Sequence, residues 1–196
     1  MRWGCSEAYV KATVFVLANA FALAAVLVVN YLATALPIAG RTPGGVSDLF
    51  PTLFTPAGFT FAIWGVIYLL LLGFSVYQFR FLNKPLPIFL QKTGWLFVLS
   101  CTANIAWLMA FHHLQIGLSM LLMLLLPGSL LTIYVHLATE GSAQRGLVRL
   151  PFSVYPGWVT VATMPMRASC SRSSAGEASR AGRNFGRSWY WRRRRA

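Results

Sequence analysis

Residues 54–77 read FTPAGFTFAIWGVIYLLLLGFSVY, and the rest of the chain is organised around this stretch. Pro56 suits the first turn of a helix, where its missing N–H costs nothing. No residue from 57 to 79 is charged. At about 1.5 Å per residue, this run crosses a hydrocarbon core about 30 Å thick. The stretch therefore predicts a transmembrane helix, with Trp64 and Tyr68 on one of its faces.

The composition is that of a membrane protein. The mean hydropathy is +0.60 and only 11% of residues are charged, whereas about a quarter are charged in soluble domains. The net charge of +13 is concentrated at the C-terminal end, because nine of the 17 Lys and Arg residues follow Thr163. Since this charge is not spread over a soluble surface, we expect the partner to be the lipid bilayer and not nucleic acid.

Five apolar runs predict an all-α fold, a polytopic membrane protein with a five-transmembrane-helix bundle whose fifth helix is truncated. A cleaved signal peptide is the alternative for the first run, but that run exceeds the 7–15 apolar residues of such a peptide, so a retained helix is favoured. The transmembrane domain is predicted over 1–163, with helices near residues 12–36, 57–79, 93–111, 116–137 and 150–163.

Aromatic and amide side chains recur within these apolar runs. Trp64 and Tyr68 share a face of the second helix, and this periodicity by itself favours packing between helices over a ligand wall. Asn104 lies three residues before Trp107 on the third helix. A buried amide in a bilayer needs partners, so an interhelical hydrogen bond and a ligand contact are equally good interpretations of Asn104.

Three motifs resemble those of the tryptophan-rich sensory protein family, which includes the translocator proteins once called peripheral-type benzodiazepine receptors. They are P-x4-F-x2-W-x3-Y from Pro56 through Phe61 to Tyr68, N-x2-W-x3-F from Asn104 to Phe111, and Y-x2-W-x3-A from Tyr155 to Ala162. The resemblance covers residues 12–163. Phe54, Ala57 and Val154 stand where the family usually has Trp, Pro and Pro.

The resemblance implies a pocket inside the bundle that accepts flat hydrophobic molecules, porphyrins above all, for sensing or transport. Indole faces suit a conjugated macrocycle, and a few polar groups would orient it. No cofactor is expected to be required, a porphyrin or haem-like molecule is the expected ligand, and a homodimer remains open. The resemblance assigns the pocket wall to Trp64, Tyr68, Asn104, Trp107, Trp158 and Ala162.

Two other classes of function stay open, namely a membrane enzyme acting on a tetrapyrrole and a structural membrane protein without a pocket. The sequence shows no Ser/His/Asp order, paired carboxylates or phosphate loop, so no catalytic residue is assigned. No metal site is assigned either, because the three cysteines are far apart and show no ligand spacing. We interpret His112 and His113, at a helix end, as solvated at the membrane interface.

The Lys and Arg residues of the short loops indicate an orientation. In a five-span arrangement, Arg41 is the one Lys or Arg residue of the short loops on one side of the membrane. The positive-inside rule then predicts a multi-pass protein of the cell membrane with a cytoplasmic N-terminus. The basic residues on the other, cytoplasmic side are Arg2, Lys11, Arg80, Lys84, Lys92, Arg145 and Arg149.

The composition changes abruptly after Thr163 to Arg, Ser, Gly and Ala. A basic cytoplasmic tail is the ordinary interpretation. However, the codons of residues 164–167, MPMR, can be read in another frame, which starts at the third nucleotide of each codon. In that frame they encode a segment of the type that continues the fifth helix in the family that the motifs resemble. We therefore interpret residues 164–196 as an aberrant, basic, disordered tail produced by a frameshift. A shortened helix should hold Trp158 and Ala162 poorly against Trp64, which would weaken ligand binding.

Overall fold

The computed structural model describes residues 3–36, 58–139 and 148–164, and these ranges contain five α-helices and no strand. Short 3-10 helices, Gly58–Ala62 and Phe79–Phe81, flank the second helix. The predicted all-α fold is confirmed, whereas the segment 165–196 lies outside the described residues. The helices are α1 Trp3–Ala35, α2 Ile63–Gln78, α3 Ile88–His112, α4 Ile116–Thr139 and α5 148–164.

Four helical segments are long and apolar enough to cross a membrane, and the protein is therefore an integral membrane protein. The fifth helix, 148–164, is shorter than each of these four spans. The prediction of a fifth helix shorter than a full span is confirmed. The four spans are Val10–Ala35, Ile63–Phe81, Ile88–His112 and Ile116–Ala138.

Local features determine where α3 begins and ends. Helix α3 begins at Ile88 rather than near Thr93, because Pro87 is extended (φ −64°, ψ 152°) and its carbonyl accepts hydrogen bonds from the N–H groups of the first turn. At the other end Leu114 has a positive φ of 57°. This left-handed residue ends α3 and turns the chain directly into α4.

A group of three phenylalanines, one each from α2, α3 and α5, forms the centre of the apolar core. Phe74 meets Phe152 edge to face at 4.9 Å between ring centroids and meets Phe97 at 5.4 Å. All three side chains are at most 1% exposed. Burying an aromatic side chain contributes about 1.5–3 kcal/mol, so this group fixes the short α5 helix against the longer spans.

Helices α1 and α3 approach each other closely where the Phe15 ring lies over Gly94. A Cβ atom added at Gly94 would lie 2.0 Å from a ring carbon of Phe15. The same ring meets Trp95 edge to face at 5.1 Å. Glycine at position 94 is therefore required for this contact between the two helices.

We expect Gly94→Ala to destabilise the protein by about 1–3 kcal/mol, because the added methyl must displace the Phe15 ring. Gly128→Ala is the matched control, since a Cβ there meets no atom within 4 Å and alanine is the better helix former. Denaturant unfolding in detergent measures both variants. Combining Gly94→Ala with Phe15→Ala should cost less than the sum of the single changes, and strict additivity would contradict the proposed clash.

Candidate functional site

The indole of Trp64 is surrounded by four aromatic rings, which together with it we call the aromatic cage. Trp64 stacks on Tyr68 at 5.7 Å and on Trp107 at 6.2 Å between ring centroids. It meets Tyr155 at 5.7 Å and Trp158 at 6.4 Å edge to face. These are the separations and orientations of attractive aromatic pairs. The cage is therefore a packed cluster, with Trp64 at its centre.

Three helices supply the cage, and the helical repeat explains how each does so. Trp64 and Tyr68 are one turn apart on α2, and Tyr155 and Trp158 are three residues apart on α5, so each pair shares a face. Trp107 comes from α3. The short α5 was expected to hold Trp158 poorly against Trp64, yet the two rings meet, and nearly two turns before Trp158 the fully buried Phe152 packs against Phe74.

A polar network that crosses three helices borders the cage. Asn30 Nδ2 donates to Asn104 Oδ1 at 2.9 Å, and Asn104 Nδ2 donates to the Tyr155 hydroxyl at 2.8 Å. Asn30 Nδ2 also lies 2.9 Å from the Val26 carbonyl oxygen. Asn104 thus makes interhelical hydrogen bonds, as one of the two interpretations of this residue predicted. These bonds hold Tyr155 in the cage wall.

Three buried polar atoms of the cage have no hydrogen-bond partner within the described residues. They are the Tyr68 hydroxyl, Trp107 Nε1 and Trp158 Nε1. Each belongs to a ring that contacts Trp64. An indole N–H can only donate, and an unmade hydrogen bond costs about 1–3 kcal/mol in a buried site. The cage therefore presents hydrogen-bond donors that lack acceptors.

Comparison with known proteins supports the assignment suggested by the motifs. A family model described as TSPO-like protein matches residues 16–172. This protein belongs to the TSPO-like family. No curated protein and no solved structure gave a match. The matched range contains all five cage residues, so the cage lies within the part of the chain that makes it TSPO-like.

The structure brings together most of the residues expected to line a TSPO-like pocket. Trp64, Tyr68, Trp107 and Trp158 are cage members, and Asn104 reaches the cage through Tyr155. Ala162 is partly buried and packs against the apolar core one turn beyond Trp158. The Phe61 side chain, together with Pro56, Phe54 and Ala57, lies outside the residues whose side chains are described.

Sequence reasoning missed Asn30 as a member of the TSPO-like site, and it placed Tyr155 only as the start of a motif. Asn30 is a lone amide in the apolar run of the first helix, which is a signal that could have suggested a role, since polar groups in a membrane span seek partners. Phe111 was noted only as a motif residue. Its ring stacks on Trp107 at 5.6 Å and extends the aromatic surface of α3.

The interpretation of His112 as solvated at the membrane interface is wrong. Its side chain is 0% exposed, and its Nδ1 lies 2.8 Å from the Leu108 carbonyl oxygen. His113 is exposed, as that interpretation requires. The difference arises because consecutive helical residues point about 100° apart, so one imidazole faces the bundle and the other faces away from it.

No Lys, Arg, Asp or Glu belongs to the cage or to the hydrogen-bonded network around it. Among the described residues, no three His, Cys, Asp or Glu side chains are grouped so that they could hold a metal ion. What this arrangement can do is stack on a flat ring and donate hydrogen bonds to it. An uncharged site of this kind suits an apolar ligand that carries a few acceptor atoms.

Proposed function

We propose that this TSPO-like membrane protein binds porphyrin-like or other flat hydrophobic ligands in the aromatic cage, for sensing or transport. The observation that carries the proposal is a set of three donors, on rings packed around Trp64, that have no partner among the described residues. Buried polar groups of a purely structural core are normally hydrogen-bonded. Three donors that meet no acceptor among the described residues suit a ligand that supplies acceptors.

The chemistry of the rings favours a conjugated ligand. Aromatic pairs contribute about 0.5–1.5 kcal/mol beyond the burial of their area, and the cage offers indole and phenol faces from α2, α3 and α5. The free donors, Tyr68 Oη, Trp107 Nε1 and Trp158 Nε1, require acceptors on the ligand. Protoporphyrin carries both features, an extended conjugated plane and the carboxylate oxygens of the side chains at its edge.

Titration of the purified full chain in lipid nanodiscs with protoporphyrin tests this proposal. We expect a saturable shift of the porphyrin absorbance, parallel quenching of tryptophan fluorescence, and one porphyrin per chain. Linear, non-saturating quenching would show only partition into lipid and would remove the binding proposal. Product analysis after incubation in light and in darkness separates binding from turnover, because a new absorbing species would indicate an enzyme.

We also propose that the protein lies in the cell membrane with its N-terminus in the cytoplasm. Lys11 lies at the start of the first span, Arg80 and Lys84 follow α2, and Arg149 lies at the start of α5. If successive spans run in opposite directions, these four residues belong to the same side of the membrane. Basic residues in short loops are retained on the cytoplasmic side.

A reporter fused after Gly141 should therefore be cytoplasmic, and one fused after Gly44 should be external. The reason is the excess of Lys and Arg residues on the loops at one end of the spans over the single Arg41 at the other. Alkaline phosphatase and green fluorescent protein fusions, which are active on opposite sides of the membrane, measure this directly. The reverse pattern of activity would overturn the orientation.

A further inference from the structure

We propose that Trp64 is a displaceable occupant of the aromatic cage: its indole takes the place of the ligand, and a ligand binds by moving it aside. This inference rests on the proposed function. It assigns Trp64 a role different from that of the other cage residues, which form the wall. It also describes the ligand, which must be a flat conjugated ring with hydrogen-bond acceptors at its edge.

The position of Trp64 is the first argument. Its ring is the common partner of every contact in the cage, stacked on Tyr68 and Trp107 and met edge to face by Tyr155 and Trp158. A flat ring surrounded by aromatic faces and edges from three helices has the surroundings that a bound planar molecule would have. Trp64, like Tyr68 and Trp158, is only partly buried, so part of its side chain is accessible from outside the core.

The unmet donors are the second argument. Three rings of the cage, Tyr68, Trp107 and Trp158, each leave a buried polar atom without a partner among the described residues, and all three contact Trp64. The indole of Trp64 fills space beside these donors but carries no in-plane acceptor with which to satisfy them. Its π face offers at best a weak substitute. The unmet donors therefore favour exchange of the Trp64 indole for a ring that has acceptors.

The neighbouring polar network provides a contrast within the same structure. Asn30, Asn104 and Tyr155 satisfy one another across α1, α3 and α5 at 2.8–2.9 Å. This part of the site needs nothing from outside and holds one wall of the cage in place. Of the seven buried polar atoms that have no partner among the described residues, three lie on the rings around Trp64, which is the residue that has to move.

Removal of the Trp64 indole tests the proposal, because porphyrin affinity should fall if Trp64 belongs to the wall and should be kept or rise if Trp64 is the occupant. If Trp64 is the occupant, Trp64→Ala in the full chain should bind protoporphyrin about as tightly as the unmodified protein or tighter, with association about five- to tenfold faster, since no group must first be displaced. If Trp64 is a wall residue, the variant should lose affinity as a wall variant such as Trp158→Ala does. That loss would overturn the proposal.

Free indole supplies a second readout that does not depend on porphyrin. The cavity left by Trp64→Ala should bind indole and thereby raise the thermal unfolding temperature, as expected for a ligand that binds only the folded state. Neither the unmodified protein nor Trp95→Ala should respond, because Trp95 is 63% exposed and lies against Phe15, outside the cage. An equal response of all three proteins, or none in Trp64→Ala, would contradict the role of Trp64 as occupant.

The two readouts distinguish the failure of this inference from the failure of the proposed function. Absence of saturable porphyrin binding in every protein, together with indole stabilisation of Trp64→Ala alone, would reject porphyrin as the ligand and retain Trp64 as an occupant. Porphyrin binding that is weakened in Trp64→Ala and shows no indole response would retain the ligand site and reject the occupant. Trp64→Phe, which keeps a smaller ring, should give intermediate association rates and guards against misfolding of the alanine variant.

Discussion

Replacement of Trp158 with alanine is expected to weaken porphyrin binding by about ten- to a hundredfold, which corresponds to about 1.4–2.8 kcal/mol. Trp158 forms one edge of the cage, meeting Trp64 at 6.4 Å, and its Nε1 is one of the unpartnered donors. The substitution removes both an aromatic surface and a hydrogen-bond donor from the ligand. The porphyrin absorbance shift measures affinity without relying on tryptophan fluorescence, which the substitution itself changes.

The control for Trp158→Ala is Trp95→Ala, which removes the same side chain from an exposed position outside the cage. This control should bind porphyrin with unchanged affinity. Trp158→Phe should fall between the two, because it keeps a ring and loses the N–H donor. Equal porphyrin affinity of the unmodified protein and Trp158→Ala would show that the cage is not the binding site.

Replacement of Asn104 with leucine is expected to destabilise the bundle by about 2 kcal/mol. Asn104 is 1% exposed and bonds both Asn30 and Tyr155. Interhelical hydrogen bonds in membranes contribute about 0.6–2 kcal/mol each, and the change also leaves the buried Tyr155 hydroxyl without its donor. Unfolding in sodium dodecyl sulphate, followed by circular dichroism, measures the loss.

A double-mutant cycle shows whether the Asn104 effect arises from the network. Tyr155→Phe keeps the ring and removes the hydroxyl that accepts from Asn104 Nδ2. Because the two residues share one hydrogen bond, the double variant should lose about 1 kcal/mol less than the sum of the single losses. Thr102→Val on the exposed face of the same helix is the control and should change stability little. Fully additive losses would argue against the bond between Asn104 and Tyr155.

The local pattern of the sequence was sufficient to predict the membrane-spanning helices of this fold. The uncharged run from residue 57 to residue 79 predicted α2, because length and apolarity by themselves decide whether a helix can cross a bilayer. The spacing of Trp64 and Tyr68 placed them on one face, since the helical repeat is a local property of the backbone. The three motifs also identified the family, as the match over residues 16–172 confirms.

The sequence predicted only some of the residues that form the site and not how they are arranged. The motifs named Trp64, Trp107 and Trp158, but no local pattern showed that one of these rings lies among the others. The sequence also gave no reason to separate His112 from His113, although the first is fully buried and the second exposed. That difference depends on which face of α3 packs against the neighbouring helices.

The tertiary structure decided the contacts between residues that are far apart in the chain. Asn30 meets Asn104 across 74 positions, and Asn104 meets Tyr155 across 51. Apolar helices can pack against one another on several faces with similar burial, so side-chain fit and hydrogen bonding select among these packings. The sequence by itself determined the membrane helices and the family, whereas helix packing placed Trp64 at the centre of the cage, among donors that it cannot satisfy.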